Sequence, residues 1–147
     1  MTNDDTYDFA ELFDELRVDE GVREFPYTDT AGKCSIGIGR NLSNVGLRAD
    51  EITFLFRNDV DAACAFMDRD IPWWRELPAA AQRVMINLCF NMGWGIFSKF
   101  TRFLADMRAH NYVNACYELQ TSLWWREVGI RGPRIVARLR AIVSIPA

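Results

Sequence analysis

The segment AQRVMINLCFNMG, residues 81–93, is apolar nearly all the way round a helix. A helix of that kind must be enclosed by other elements. It is therefore expected to be the central helix of a helical lobe. Helical periodicity continues beyond it almost to the last residue. Breaks are expected at Gly93-Trp94-Gly95, at RAHN and from Gly129 to Pro133. Pro72 and Pro78 bracket a short helical turn before it. Earlier still, LRADEITFLFRNDVDAACAFM predicts a long helix. Its stripe is Leu47, Ile52, Leu55, Phe56, Val60, Ala63 and Phe66, and Asp50 and Glu51 lie in the first turn.

The first fifty residues read differently. Phe9, Leu12, Phe13 and Leu16 share one face of a helix over residues 7–20. Glu20 falls three turns after Phe9, close to that face. A carboxylate at the end of an apolar stripe is expected to be partly desolvated, which raises its pKa. Gly21 is a natural C-terminal stop. Over residues 25–42 the period changes to that of short strands around the turn TDTAGK, with Ile36 and Ile38 alternating. Gly37 and Gly39 leave one strand face bare, for close packing on backbone or for a ligand.

The predicted fold class is α+β and mostly helical, a single domain over 1–147 with two lobes. A small β lobe covers about 21–46 and a linking helix about 47–70. The helical lobe takes about 71–147 together with the N-terminal helix 7–20. A cleft between lobes is a usual place for a ligand.

At 147 residues the chain is long enough for a real core, and half of it is hydrophobic. Nine acids against Arg17 and Arg23 give residues 1–24 a charge of −7; five Arg against Glu127 give residues 121–147 a charge of +4. A basic end can meet a polyanion, although a solvated helix face accounts for any single Arg. Cys34, Cys64, Cys89 and Cys116 form no CxxC pair, and His110 is the one histidine. No zinc site and no cofactor are expected. Cys64, Cys89 and Cys116 read as small buried hydrophobes, and reduced thiols in a cytosol are expected. The acidic start has neither the basic nor the apolar region of a secretory signal. No window approaches the ~18 apolar residues of a spanning helix.

Without a metal cluster or a Ser-His-Asp set, hydrolysis would rest on carboxylates, and glycoside hydrolysis is a reaction that two carboxylates perform. Glu20, at its semi-apolar helix end, fits the proton donor. Asp29, on a wet hairpin edge, fits the ionised partner. Acid pairs are common on surfaces, so on composition alone the evidence is weak.

LRVDEGVREFPYTDTAGKCSIGIGR carries more information. It resembles the start of the phage-type lysozymes, the bacteriophage endolysins of glycoside hydrolase family 24. That signature is Glu-Gly, an Asp after eight intervening residues, then Thr or Ser after five more in a (T/S)IG(I/Y)G strand. Glu20, Asp29 and Ser35 meet both spacings. RADEITFLFRNDVDAA looks like the family's linking helix, INLCFNMG like its central-helix motif and SLWWREVGIRGPRIVARLR like its last helices. The resemblance runs from about Leu16 to Arg140.

It implies cleavage of the β-1,4 bond between N-acetylmuramic acid and N-acetylglucosamine in bacterial peptidoglycan, with inversion. Glu20 would be the general acid. Asp29 would support the attacking water, and Ser35 would help to hold it. Sugar contacts carry over to Gly39, Phe90 and Asn91, and less directly to Asn41. Arg131 matches a basic partner of the catalytic Glu, so desolvation and Arg131 would act on Glu20 in opposite senses. Phe103 and Glu118 stand where relatives have small or polar residues touching substrate, and Phe103 by itself reads as core. The strand ends in Arg40 where the family usually has His. An Arg40–Asp59 pair is expected to replace the family's His–Asp tie. The β lobe is expected to be trimmed to one hairpin plus a loop, and the residues before Tyr7 to fray or add a helix turn.

The implied biology is an endolysin, a monomer that accumulates in the host cytoplasm and reaches the wall through a holin. No nucleic-acid partner and no stable membrane insertion are expected. Two other classes stand beside it: a non-catalytic wall-binding module of the same fold, and membrane disruption by the basic segment RGPRIVARLRAIVSI. For that segment, a core helix with a solvated face is the more common case.

Overall fold

Asp8 starts the first helix. Its backbone adopts a left-handed conformation and its side chain accepts the Glu11 N–H at 3.2 Å. Helix α1 then runs Phe9–Glu20 and stops where expected, on Gly21 with φ 76°, whose N–H bonds Arg17 O. The structure, a computed structural model, describes residues 6–143, with side chains to Ile142. The expectation for the residues before Tyr7 therefore falls largely outside the described residues. Contacts divide the chain into two units, one ending at Thr53 and one beginning at Phe54.

The first unit holds α1 and a three-stranded antiparallel sheet in the order β1 (Arg23–Thr28), β2 (Cys34–Gly37), β3 (Arg40–Asn41). The third strand exceeds the expected single hairpin plus loop, because Arg40 and Asn41 turn back to pair with Ile36 and Ser35. β1 and β2 are out of step. Arg23 pairs Gly37 and Tyr27 pairs Ser35, so three residues of β1 face one of β2. Pro26 lies in that stretch and has no N–H to give a ladder, which accounts for a bulge there.

One expectation fails in this unit. The apolar stripe of α1 buries no residue, and Phe9, Phe13 and Leu16 are all exposed. Glu20 is exposed as well. This unit by itself does not supply the semi-apolar setting inferred for it, because spacing shows which residues share a face and not what covers that face.

Helix α2 (Ala49–Asp70) carries the chain from the first unit into the second. A 3₁₀ turn, Pro72–Glu76, follows. Then come α3 (Ala79–Met92), α4 (Trp94–Phe97), α5 (Thr101–Arg108), α6 (Tyr112–Gln120), α7 (Leu123–Glu127) and α8 (Arg131–Val143). As its composition requires, α3 is central. It buries Ala81, Val84, Met85, Leu88 and Cys89 and packs against α4, α8 and the 3₁₀ turn. Phe103 is in the core, as its apolar character suggested. Cys89 and Cys116 are buried and Cys64 is half-buried. The break before α8 is earlier than expected, since Pro133 falls in the helix's first turn, where its missing N–H costs nothing. α8 buries Ile135, Val136 and Leu139 while Arg134 and Arg138 face outward, so it is a core helix with a solvated face. Among the described residues no helix is long and apolar enough to cross a membrane.

Candidate active site

In the first unit, the hairpin turn is organised by Asp29. Its N–H donates to Lys33 O at 2.8 Å, and its carbonyl accepts from Gly32 N–H at 3.0 Å. Its carboxylate oxygen Oδ1 accepts the N–H groups of Ala31 (2.9 Å) and Lys33 (2.8 Å). The other oxygen, Oδ2, accepts the Ser35 hydroxyl at 3.3 Å. These donors, that of Lys33 foremost, together outweigh desolvation and hold the Asp29 carboxyl below its ordinary pKa. Asp29 is therefore an anion near neutral pH with lone pairs left over for water. Ser35 is 2% exposed, and its hydroxyl is spent on Asp29.

Glu20 reaches this hairpin through Gly39. A Cβ built on Gly39 would lie 2.9 Å from Glu20 Oε2, and the backbone there has φ 69°. Glycine is thus required twice, by conformation and by the approach of the carboxyl. Gly39→Ala is expected to cost about 1 kcal/mol of stability through the left-handed backbone. It should also displace the Glu20 carboxyl and lower turnover about tenfold or more. Parallel denaturation and rate measurements separate the two effects.

Arg40 does not have the partner inferred for it. Its guanidinium makes a two-pronged pair with Glu51, both bonds 2.6 Å, and donates a third to Gly46 O at 3.1 Å. Asp59 lies eight residues further along α2, about 12 Å by helical rise. The strand is still tied to the helix, but at the helix's first turn. Glu51 also accepts the Arg48 N–H at 3.0 Å, as a residue three places into a helix does when it closes a capping box. A Glu in the first turn, three residues after the chain enters the helix, was the available signal. Held chiefly by Arg40, Glu51 has its pKa lowered from 4.5 to about 2. A depressed carboxylate stabilises the fold above its unfolded pKa, and this is lost as pH falls through the folded one. The urea midpoint of wild type should thus exceed that of Glu51→Gln at pH 7, and the gap should close between pH 4.5 and 2.

Asn41 pairs with Ser35 across the sheet, and its Oδ1 accepts the Asn44 N–H at 3.0 Å. This fixes the loop after β3 and leaves the amide NH₂ unengaged. Ser43, not singled out from sequence, accepts the Cys34 N–H at 2.9 Å and ties that loop to β2.

In the second unit, Phe90 and Asn91 sit in the last turns of α3. Phe90 is exposed and packs on Phe56 with ring centroids 5.9 Å apart. The Asn91 side-chain oxygen accepts the Nε1–H of Trp124 at 2.8 Å. That bond leaves the amide NH₂ of the exposed Asn91 unengaged and gives Trp124, buried at 7% exposure, an orienting role the sequence did not disclose. Arg131 is half-buried and lines a cavity of about 420 Å³ with Phe56, Arg83 and Phe90. Asp59 and Phe90 line another of about 260 Å³. Glu118 borders a third, with Phe103, Lys99 and Arg102.

The structure thus brings together Asp29, Ser35 and Asn41, places Glu20 against Gly39, and gives Arg40 to Glu51. The family model described as phage lysozyme matches residues 17–141. The chain is also 29% identical to the pre-baseplate central spike protein Gp5 of Enterobacteria phage T4, over 82% of this chain and 26% of that protein. It spans about a quarter of that relative's length.

Proposed function

Since the chain belongs to the phage lysozyme family, we propose that it is a muramidase that cuts the β-1,4 bond between N-acetylmuramic acid and N-acetylglucosamine in peptidoglycan. The observation that carries this reading is the Asp29 carboxylate. It is held ionised by backbone donors beside the Ser35 hydroxyl, on the same hairpin whose Gly39 receives Glu20. Glu20 donates the proton to the leaving oxygen. Asp29, itself steadied by the Ser35 hydroxyl, holds the water on the opposite face of the sugar; in this reading the enzyme is inverting and a member of glycoside hydrolase family 24. Gly39 and Asn41 of the first unit and Phe90 and Asn91 of the second are the sugar contacts in this reading, and Arg131 stays the partner of Glu20 that the family resemblance implies. No cofactor enters this chemistry.

The physiological role in this reading is that of an endolysin. The monomer gathers in the host cytoplasm and passes a holin lesion to the wall. The experiment is digestion of purified sacculi, scored for new muramic-acid reducing ends and for the anomer first formed. Release of reducing ends with inverted configuration supports the proposal. Binding without release would instead make the chain a wall-binding module. The relative's description as a central spike protein favours one second reading, in which the lytic domain travels in the virion and opens the wall at entry. Mass spectrometry of purified particles separates the two: an endolysin is absent from them.

A further inference from the structure

The stretch DIPWWRELP puts two tryptophans in succession on a 3₁₀ turn. Three residues per turn set neighbouring side chains about 120° apart, so they cannot share an environment. Trp74 is wholly buried. Trp73 is half-buried, seated against the same core, and opens onto a cavity of about 540 Å³. Asp70, Pro72, Glu76, Leu77, Arg108 and His110 complete its walls. None of these residues takes part in the hydrolysis proposed above.

The chemistry of the walls selects the ligand. Arg108 stands over the Trp73 ring, its Cζ 5.8 Å from the centroid, and would repel a cation. Asp70 is taken up by the Arg69 guanidinium through bonds of 2.8 and 2.7 Å, so Glu76 is the carboxylate that would repel an anion. An apolar ligand would strip water from Arg108 and Glu76 without replacing it. What fits is a neutral molecule with one apolar face and a rim of groups that both donate and accept. His110 adds to that rim. It closes α5 in a left-handed conformation, φ 58°, with Nδ1 against the Tyr112 hydroxyl at 3.2 Å, and this leaves Nε2 for a ligand. Among the described residues, Glu76 has no ion pair. The volume is in the usual range of small-molecule sites.

We propose that this cavity binds a neutral pyranose, its apolar face against the part of Trp73 that Arg108 leaves open and its rim hydrogen-bonded by Glu76, Arg108 and His110. Resting on the muramidase reading for its source, the ligand is an N-acetylated sugar of the wall glycan, held away from the bond being cut. Such a site anchors the enzyme on an insoluble polymer.

The test follows the Trp73 indole N–H by NMR during titration of the full chain with the trimer of N-acetylglucosamine. A saturable shift with a dissociation constant of about 1 mM is expected. Glu76→Gln and Arg108→Gln, both at exposed positions, should weaken it about tenfold. They should leave the rate on soluble glycan fragments unchanged and raise KM on sacculi. A Trp73 resonance that does not move, or a shift that both variants leave intact, overturns the proposal. Whether sacculi release reducing ends is scored separately, so loss of the muramidase reading and loss of this site remain distinct results.

Discussion

Glu20→Gln should fold like the wild type and lose turnover by about a hundredfold to ten-thousandfold, the span of a general acid's contribution. The substitution keeps the side chain's size and removes only its proton-donating role. Glu20 is exposed, so no buried partner is left unsatisfied. The contact with Gly39 survives, because an amide occupies nearly the same space as a carboxyl. Denaturation curves should therefore coincide while lysis of outer-membrane-permeabilised cells stops. Equal lysis by both proteins would remove Glu20 from the mechanism. It would also return the basic segment of α8 to consideration, and lysis by an isolated peptide of residues 129–147 would then be the measurement to make. Asp29→Asn is a useful companion. It keeps the acceptor for the turn and removes the charge, so its defect should be mainly in rate.

Trp74→Ala should destabilise the protein by about 3–5 kcal/mol, as full truncation of a buried aromatic does. That is a large share of the roughly 5–15 kcal/mol by which domains are stable. Trp74 has no exposed surface. Its Nε1–H donates to Asp68 Oδ1 at 2.8 Å, and the Arg75 guanidinium covers its ring at 4.2 Å. Trp74→Phe separates packing from the hydrogen bond. Asp68 keeps its two bonds from Arg75, so no carboxylate is orphaned, and the expected cost falls to about 1–2 kcal/mol. Urea titrations of both variants check the ordering. Similar losses for the two would mean that the hydrogen bond, not the ring volume, holds this corner.

What could be read from the sequence, and what could not, divides along a physical line. Local features were legible. Gly21 ends α1, the prolines bracket a turn, and the apolar girth of α3 puts it at the centre, because each depends on residues within a few positions. The Asp29–Ser35 spacing was legible for the same reason, since a short hairpin brings residues six apart together. Partner choice was not. Arg40 could have met any carboxylate along α2, and its capture by Glu51 depends on the angle at which the chain enters that helix. The burial inferred for Glu20 is not met within its own unit, because periodicity describes one helix and burial needs two surfaces. The Asn91–Trp124 bond spans 33 positions and leaves no periodic trace.

The Asp29 carboxylate has a consequence for how such a chain can drift over generations. It closes the turn besides the part proposed for it in the reaction, so most replacements there disturb the hairpin along with the chemistry. Glu20 bears no comparable structural duty. A lineage shedding its lytic activity while keeping the scaffold would lose Glu20 first and retain Asp29 long after its catalytic use had ended. An aspartate at this position is therefore a poor witness to activity in a distant descendant, and the glutamate is the better one.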